Sequence, residues 1–275
     1  MRIYHLNCGC MCPVGGALFD GFSKGISSHL VCHCLAIEAG EGLVLVDTGF
    51  GTGDMRTPER LSPFFRALNR IQFDPTYTAV HRLRDLGFKP GDVRHIVLTH
   101  LDFDHAGGLE DFPGATVHVM QAERDAAEAQ RGFIARNRYV RPQWDEVRNW
   151  RFYDRTSGER WHGFEAVRDL AGLPPEILML PLPGHTRGHA GVAIRTDRDW
   201  LLNAGDAYFF RKEMNPEPRC SPGLRFYQTM MEVDRPARLA NQERLRALAN
   251  RPGAGVRIFC SHDAVEFEAL AHPGR

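Results

Sequence analysis

Short apolar runs recur along this 275-residue chain, and most of them end in turns rich in Asp, His or Gly. Leu43-Val44-Leu45-Val46 runs into Asp47-Thr48-Gly49, and Ile96-Val97-Leu98 into Thr99-His100. Continuous four- to six-residue apolar runs of this kind predict strands buried on both faces. The same reading places strands over residues 1–6, 30–37, 94–98, 116–120, 177–182, 190–194, 200–202 and 256–260. Between them the period changes. Leu61, Phe64, Phe65 and Leu68 predict a helix over 58–70, and Val80, Leu83 and Leu86 one over 76–86 that Gly87 and Pro90-Gly91 terminate. Further helices are expected over 122–130 and 235–250. The runs Leu43–Asp47 and Trp200–Asp206 each send an apolar strand into an Asp-bearing turn, a weak internal echo. The pattern predicts an α/β chain, a sandwich of two mixed sheets with helices outside and loops converging at one edge.

Residues 131–163 depart from this rhythm. Eight arginines, among them Arg138 and Arg155, alternate with Phe133, Tyr139, Trp144, Trp150, Phe152, Tyr153 and Trp161. The expectation is a single domain over 1–275 with an inserted lid at 131–163 over the mouth of a site. Its aromatics could wall an apolar substrate part and its arginines hold an anion. Packing of the segment on itself, or a homodimer contact, is the competing expectation.

Composition narrows the function. Lys and Arg number 34 against 34 Asp and Glu, so the net charge is zero and gives no argument for nucleic acid. No apolar run is long enough to span a bilayer. Seven cysteines, an odd count without an export signal, suggest reduced thiols and a cytoplasmic protein. Cys8, Cys10 and Cys12 fall at period two. On a strand they share one face, and they are expected to be small packing residues rather than a metal knuckle.

The densest chemistry is His100-Leu101-Asp102-Phe103-Asp104-His105-Ala106-Gly107-Gly108. Two imidazoles and two carboxylates within six residues, after a strand and closed by a glycine pair, are donors for first-row divalent metals. Pro183-Gly184-His185, Gly205-Asp206 and Ser261-His262 each follow an apolar strand as well. The set resembles the His-x-His-x-Asp-His signature of the metallo-β-lactamase superfamily, with Asp102 at the second histidine. The resemblance implies an αββα fold and two divalent ions. His100, Asp102 and His185 would hold the first, Asp104, His105 and His262 the second, and Asp206 would bridge them.

Zinc is the first expectation, and the carboxylate of Asp102 makes iron or manganese an alternative at its site. Two such ions lower the pKa of a shared water from ~15.7 towards neutrality. Asp104 would orient the resulting hydroxide or shuttle its proton, and Tyr208 would donate to the oxyanion. Asp47 would steady a ligand ring, while His189 and Arg187 would play supporting parts. The Asp-Thr-Gly-Phe-Gly and His-Ala-Gly-Gly turns look most like the N-acyl homoserine lactonase branch, which implies hydrolysis of a lactone or other ester of a small molecule. A glyoxalase II-like thioesterase, a phosphodiesterase, an iron oxygenase and a non-catalytic metal protein are the alternatives.

Overall fold

The computed structural model describes residues 1–40, 42–154, 159–166 and 170–273. Six strands form the first sheet in sequence order: β1 (Ile3–Met11), β2 (Leu30–Ala39), β3 (Gly42–Val46), β4 (Val93–Val97), β5 (Thr116–Met120) and β6 (Trp150–Tyr153). The first two pairings are antiparallel and those from β3 to β6 are parallel. β7 (Glu159–Trp161) and β8 (Phe164–Ala166) make a separate hairpin. The second sheet has the order β12-β11-β10-β9, from β9 (Ile177–Pro181), β10 (Ala190–Arg195), β11 (Trp200–Asn203) and β12 (Val256–Phe259).

Alternation along the strands sorts their side chains into layers. Val44 and Val46 of β3 pack between the sheets with Leu35, Ile37, Met179, Val192, Ile194 and Phe259. Leu43 and Leu45 point the other way, into the layer that Leu83 of the 79–85 helix covers. On the far side, Leu178, Leu180 and Leu202 meet Leu245 and Leu248 of the Arg235–Ala249 helix. Both sheets are therefore covered on both faces, and the architecture is the αββα sandwich expected.

The loops that carry the candidate ligands follow β4, β9, β11 and β12 and meet at one edge. Backbone contacts tie them together. Thr48 N–H donates to the His105 carbonyl at 2.8 Å, Ala190 N–H to the Thr99 carbonyl at 2.8 Å, and Ser261 N–H to the Gly205 carbonyl at 3.1 Å. Gly49, at φ +64°, passes so close to β1 that a Cβ would lie 2.2 Å from the Cys8 carbonyl oxygen. Only glycine fits there.

The 131–163 segment is distributed rather than gathered into one excursion. Trp144 and Tyr139 belong to the core under the first sheet, residues 150–153 form its edge strand, and Trp161 packs under the second sheet. Its opening helix, Phe133–Arg138, reaches the loop edge, and Gln143 donates to the Phe103 carbonyl there at 2.9 Å. Arg155 lies outside the described residues. A helix over Pro222–Met231, not anticipated from the pattern, also borders that edge. No helix among the described residues is long and apolar enough to cross a membrane.

Candidate metal centre

The centre is built outward from Asp47. Its carboxylate accepts the Thr99 N–H and the Thr99 hydroxyl, each at 2.8 Å, and His105 Nδ1–H at 2.9 Å. With its proton committed to Asp47, the Thr99 oxygen accepts from His100 Nδ1–H at 2.9 Å. His262 Nδ1–H donates to the Val31 carbonyl at 2.7 Å. Each ring thus keeps its proton on Nδ1 and turns an Nε2 lone pair inward, the arrangement metal-binding imidazoles require.

Those lone pairs converge on Asp206. His105 Nε2 and His262 Nε2 are 3.3 Å apart, and they lie 3.4 and 3.2 Å from Asp206 Oδ1. Bonds of ~2.0–2.1 Å to a tetrahedral ion give edges of about 3.3–3.4 Å, so these three atoms match one face of a zinc coordination shell. Asp104 Oδ2 stands 3.6 Å from His262 Nε2. Cys32 Sγ also lies within 4.8 Å of Asp104 and His262 donor atoms.

Two inward atoms, His100 Nε2 and Asp206 Oδ1, are buried with no hydrogen-bond partner. Charge makes the same demand. Asp47, Asp102, Asp104 and Asp206 are all at most 5 % exposed. Several carboxylates sharing one dry site need cations. Burial works against a charged His105 ring, but Asp206 and Asp47 outweigh it and raise its pKa well above the usual histidine range. The field that favours a proton there would favour a divalent cation more.

The other three candidates meet on the far side of Asp206. Asp206 Oδ2 is 3.4 Å from His185 Nε2 and 3.7 Å from His100 Nε2. Asp102 Oδ2 lies 3.1 Å from His185 Nε2 and 3.4 Å from His100 Nε2. One of the arginines expected in the lid enters here. Arg138, fully buried, forks onto Asp102, Nε to Oδ1 at 2.6 Å and Nη2 to Oδ2 at 2.5 Å. Nη2 also donates to His185 Nε2 at 2.6 Å, while Nη1 donates to the carbonyls of Met231 and His185 at 2.8 and 3.3 Å. Burial opposes ionisation of Asp102, yet the guanidinium outweighs it and holds the carboxyl well below the usual range.

Glu123 and His189 fix the surrounding loops. Glu123, fully buried, accepts from Leu101 N–H and Gly188 N–H, each at 3.0 Å, and from the Thr186 hydroxyl at 2.6 Å, joining the loops after β4 and β9. Its place on the first turn of the 121–129 helix carries no motif, so only the fold reveals it. His189 donates from Nδ1 to the Leu182 carbonyl and accepts Asp206 N–H, both at 2.9 Å. It positions the backbone of Asp206 instead of joining the ligand cluster.

The expected oxyanion donor is placed elsewhere. Tyr208 lies in the layer under the second sheet, and its hydroxyl donates to Glu266 at 3.0 Å. Burial and then Glu266 raise its pKa. Tyr227, from the Pro222–Met231 helix, packs its ring 5.8 Å from that of Phe209, which lies against His262. Burial raises its pKa, followed by the charge of Asp104, with Asp102 and Asp206 adding to it. The spacing Leu224, Tyr227, Gln228, Met231 after Pro222 is a signal for the helix, though not for the place of Tyr227 in the site. Phe209, next to Tyr208, stacks on His262 with ring centres 5.2 Å apart.

A model of the metallo-beta-lactamase superfamily matches residues 28–254, a span that contains six of the seven candidate ligands. The chain belongs to the metallo-beta-lactamase superfamily. As a member it is a metal-dependent hydrolase. It is 38 % identical over 263 residues to a probable metallo-hydrolase of Mycobacterium tuberculosis, covering 96 % of this chain and 80 % of that one. It is 28 % identical over 200 residues to an N-acyl homoserine lactonase of Bacillus cereus, covering 69 % and 71 %. The solved structure of an N-acyl homoserine lactone hydrolase with the product N-hexanoyl-L-homoserine superposes with a TM-score of 0.71 at 21 % identity, over 97 % of this chain and 95 % of that one. That likeness supports the superfamily fold.

Glu266, which accepts the Tyr208 hydroxyl and Cys260 N–H beside the His262 loop, gives a pH prediction. Burial, then Asp263, pushes its pKa up to about 8 from the usual 4.5. The folded state therefore keeps a proton that the unfolded chain releases. The resulting stability is complete below about pH 4.5 and is lost as pH rises to about 8, about 5 kcal/mol in total. Glu266→Gln should flatten the fall of the urea midpoint between pH 5 and 8. An unchanged slope would remove Glu266 as its source.

Proposed function

We propose that this hydrolase opens a lactone or cleaves another carboxylic ester with an apolar acyl part. The observation that carries the reading is the triangle of His105 Nε2, His262 Nε2 and Asp206 Oδ1 packed against one apolar cluster. That cluster contains Phe19, Met55, Phe65, Phe103, Phe209 and Tyr227. Exposed aromatics border it: the ring of Phe64 meets that of the cluster's Phe65 at 5.1 Å and that of Phe133, which is 60 % exposed, at 5.4 Å. Apolar surface of this kind around a few convergent polar groups suits an acyl chain ending in a carbonyl. The similarity to N-acyl homoserine lactonases supports the same substrate class.

The ion would be held by His105, His262, Asp206 and Asp104, with zinc suited to these nitrogen and oxygen donors and iron or manganese as alternatives. When bound, it supplies an activated water and a Lewis acid for the carbonyl. The protein's own groups supply the rest. Asp104, buried with Oδ2 3.6 Å from His262 Nε2, is placed to take the proton of the attacking water and pass it to the leaving alkoxide. Asn69 Nδ2 donates to the Tyr227 oxygen at 3.3 Å and leaves the phenolic proton for the oxyanion. The guanidinium nearest the centre, Arg138, has its donors committed to Asp102, His185 and Met231. It is therefore poorly placed to grip a phosphodiester.

The test is hydrolysis of N-acyl homoserine lactones and aryl esters by chelator-treated protein before and after zinc is restored. Activity should appear only with metal, and Tyr227→Phe should lower kcat roughly 100-fold with little change in KM. No cleavage of any lactone or ester by the metal-restored protein would reject the substrate class. A fully active Tyr227→Phe would remove that residue from the mechanism.

A further inference from the structure

We propose that Arg138 takes the place of the first metal ion, so that the catalytic centre holds one ion and one built-in guanidinium. The inference rests on the metal-hydrolase reading above. It is carried by the donor count. A guanidinium has five N–H groups. Here they meet five acceptors: both Asp102 oxygens, His185 Nε2, and the carbonyls of His185 and Met231. Nη2 lies between Asp102 Oδ2 and His185 Nε2, at 2.5 and 2.6 Å, where an ion shared by those two donors would sit. An ion there would displace the guanidinium from both.

The fork also accounts for the departure from the superfamily signature. An aspartate can accept two parallel N–H bonds, whereas a neutral imidazole at position 102 offers a single lone pair and no charge. Asp102 and Arg138 together add no net charge to the site. The second donor set has no such occupant, and His105 Nε2, His262 Nε2 and Asp206 Oδ1 remain directed at one point.

The experiment compares zinc bound per chain, by elemental analysis after dialysis, in the wild type, in His105→Ala and in the double variant Asp102→His/Arg138→Ala. The double variant removes the cation and its carboxylate together, so it leaves no unpaired buried charge. Thermal unfolding confirms that it folds, and Asp102→His/Arg138→Gln serves if it does not. The double variant should bind one zinc per chain more than the wild type, while His105→Ala binds one fewer. Equal zinc in the wild type and the double variant, with zinc lost in His105→Ala, would overturn the role of Arg138 and leave the hydrolase reading standing. No loss in His105→Ala would contradict that reading itself.

A separate observation carries a second proposal: we infer that Cys10, Cys12 and His29 form a site for a thiophilic d10 cation such as zinc. Cys10 and Cys12 share one face at the end of β1. The β1–β2 register pairs Cys10 with Val31 and Met11 with Leu30, and its continuation sets Cys12 opposite His29. Cys10 Sγ is 3.7 Å from Cys12 Sγ and 3.5 Å from His29 Nδ1. Bonds of ~2.3 Å to sulfur and ~2.05 Å to nitrogen give tetrahedral edges of about 3.8 and 3.6 Å. Cys12 and His29 are half-buried, so a fourth position can face solvent. Packing alone, the role expected of these cysteines from the sequence, does not explain a histidine nitrogen directed at the pair.

Cobalt(II) added to reduced, chelator-treated protein should give a near-ultraviolet thiolate-to-cobalt band. Cys12→Ser and His29→Gln should lose it and bind one metal fewer per chain, while Cys32→Ser keeps it. Ester hydrolysis in Cys12→Ser should equal that of the wild type. No band in the wild type, an undiminished band in Cys12→Ser, or a band lost only in Cys32→Ser would overturn the site.

Discussion

Buried negative charge is the constraint around which this molecule is arranged. Asp47, Asp102, Asp104 and Asp206 are all nearly inaccessible at the edge of the sandwich. Carboxylates crowded in a low-dielectric site persist as anions only with cations or several hydrogen bonds each. Asp47 is satisfied by Thr99 and His105. Asp102 is satisfied by Arg138. Asp206 is left facing imidazole lone pairs, and that remainder creates the demand for a metal ion.

The fold makes the demand local. Two sheets covered on both faces send the ends of β3, β4, β9, β11 and β12 to one edge, and short backbone bonds lock those loops to one another. Glu123 and His189 then hold the loops after β4, β9 and β11 in register. None of these groups needs to touch a substrate. They set where the three Nε2 atoms and the Asp206 carboxylate meet, and small displacements would spoil coordination.

Strands were legible in the sequence because burial on both faces yields continuous apolar runs, and the loops of candidate ligands stood out because few other patterns put so many donors at a strand end. Helix ends were placed less well: the 58–70 region is a 3-10 turn followed by a helix over Pro63–Asn69. Tyr208 misled because sequence adjacency to Asp206 says nothing about which layer a side chain enters. Tyr227 and Arg138 were unreadable as site residues for the opposite reason. Each lies far along the chain from its partners, on a short helix with no motif, and only the closure of the sandwich brings it to the carboxylates. Asp102 was visible as a departure, but the guanidinium that forks onto it lay 36 residues away.

The central claim is that the triangle of His105, His262 and Asp206 holds the metal of an esterolytic centre. The most direct measurement is an anomalous difference map at the zinc edge from crystals grown with zinc. The account predicts a peak ~2.0–2.2 Å from His105 Nε2, His262 Nε2 and an Asp206 oxygen. A well-ordered centre with no peak at that point, or with zinc bound only elsewhere on the chain, would contradict it.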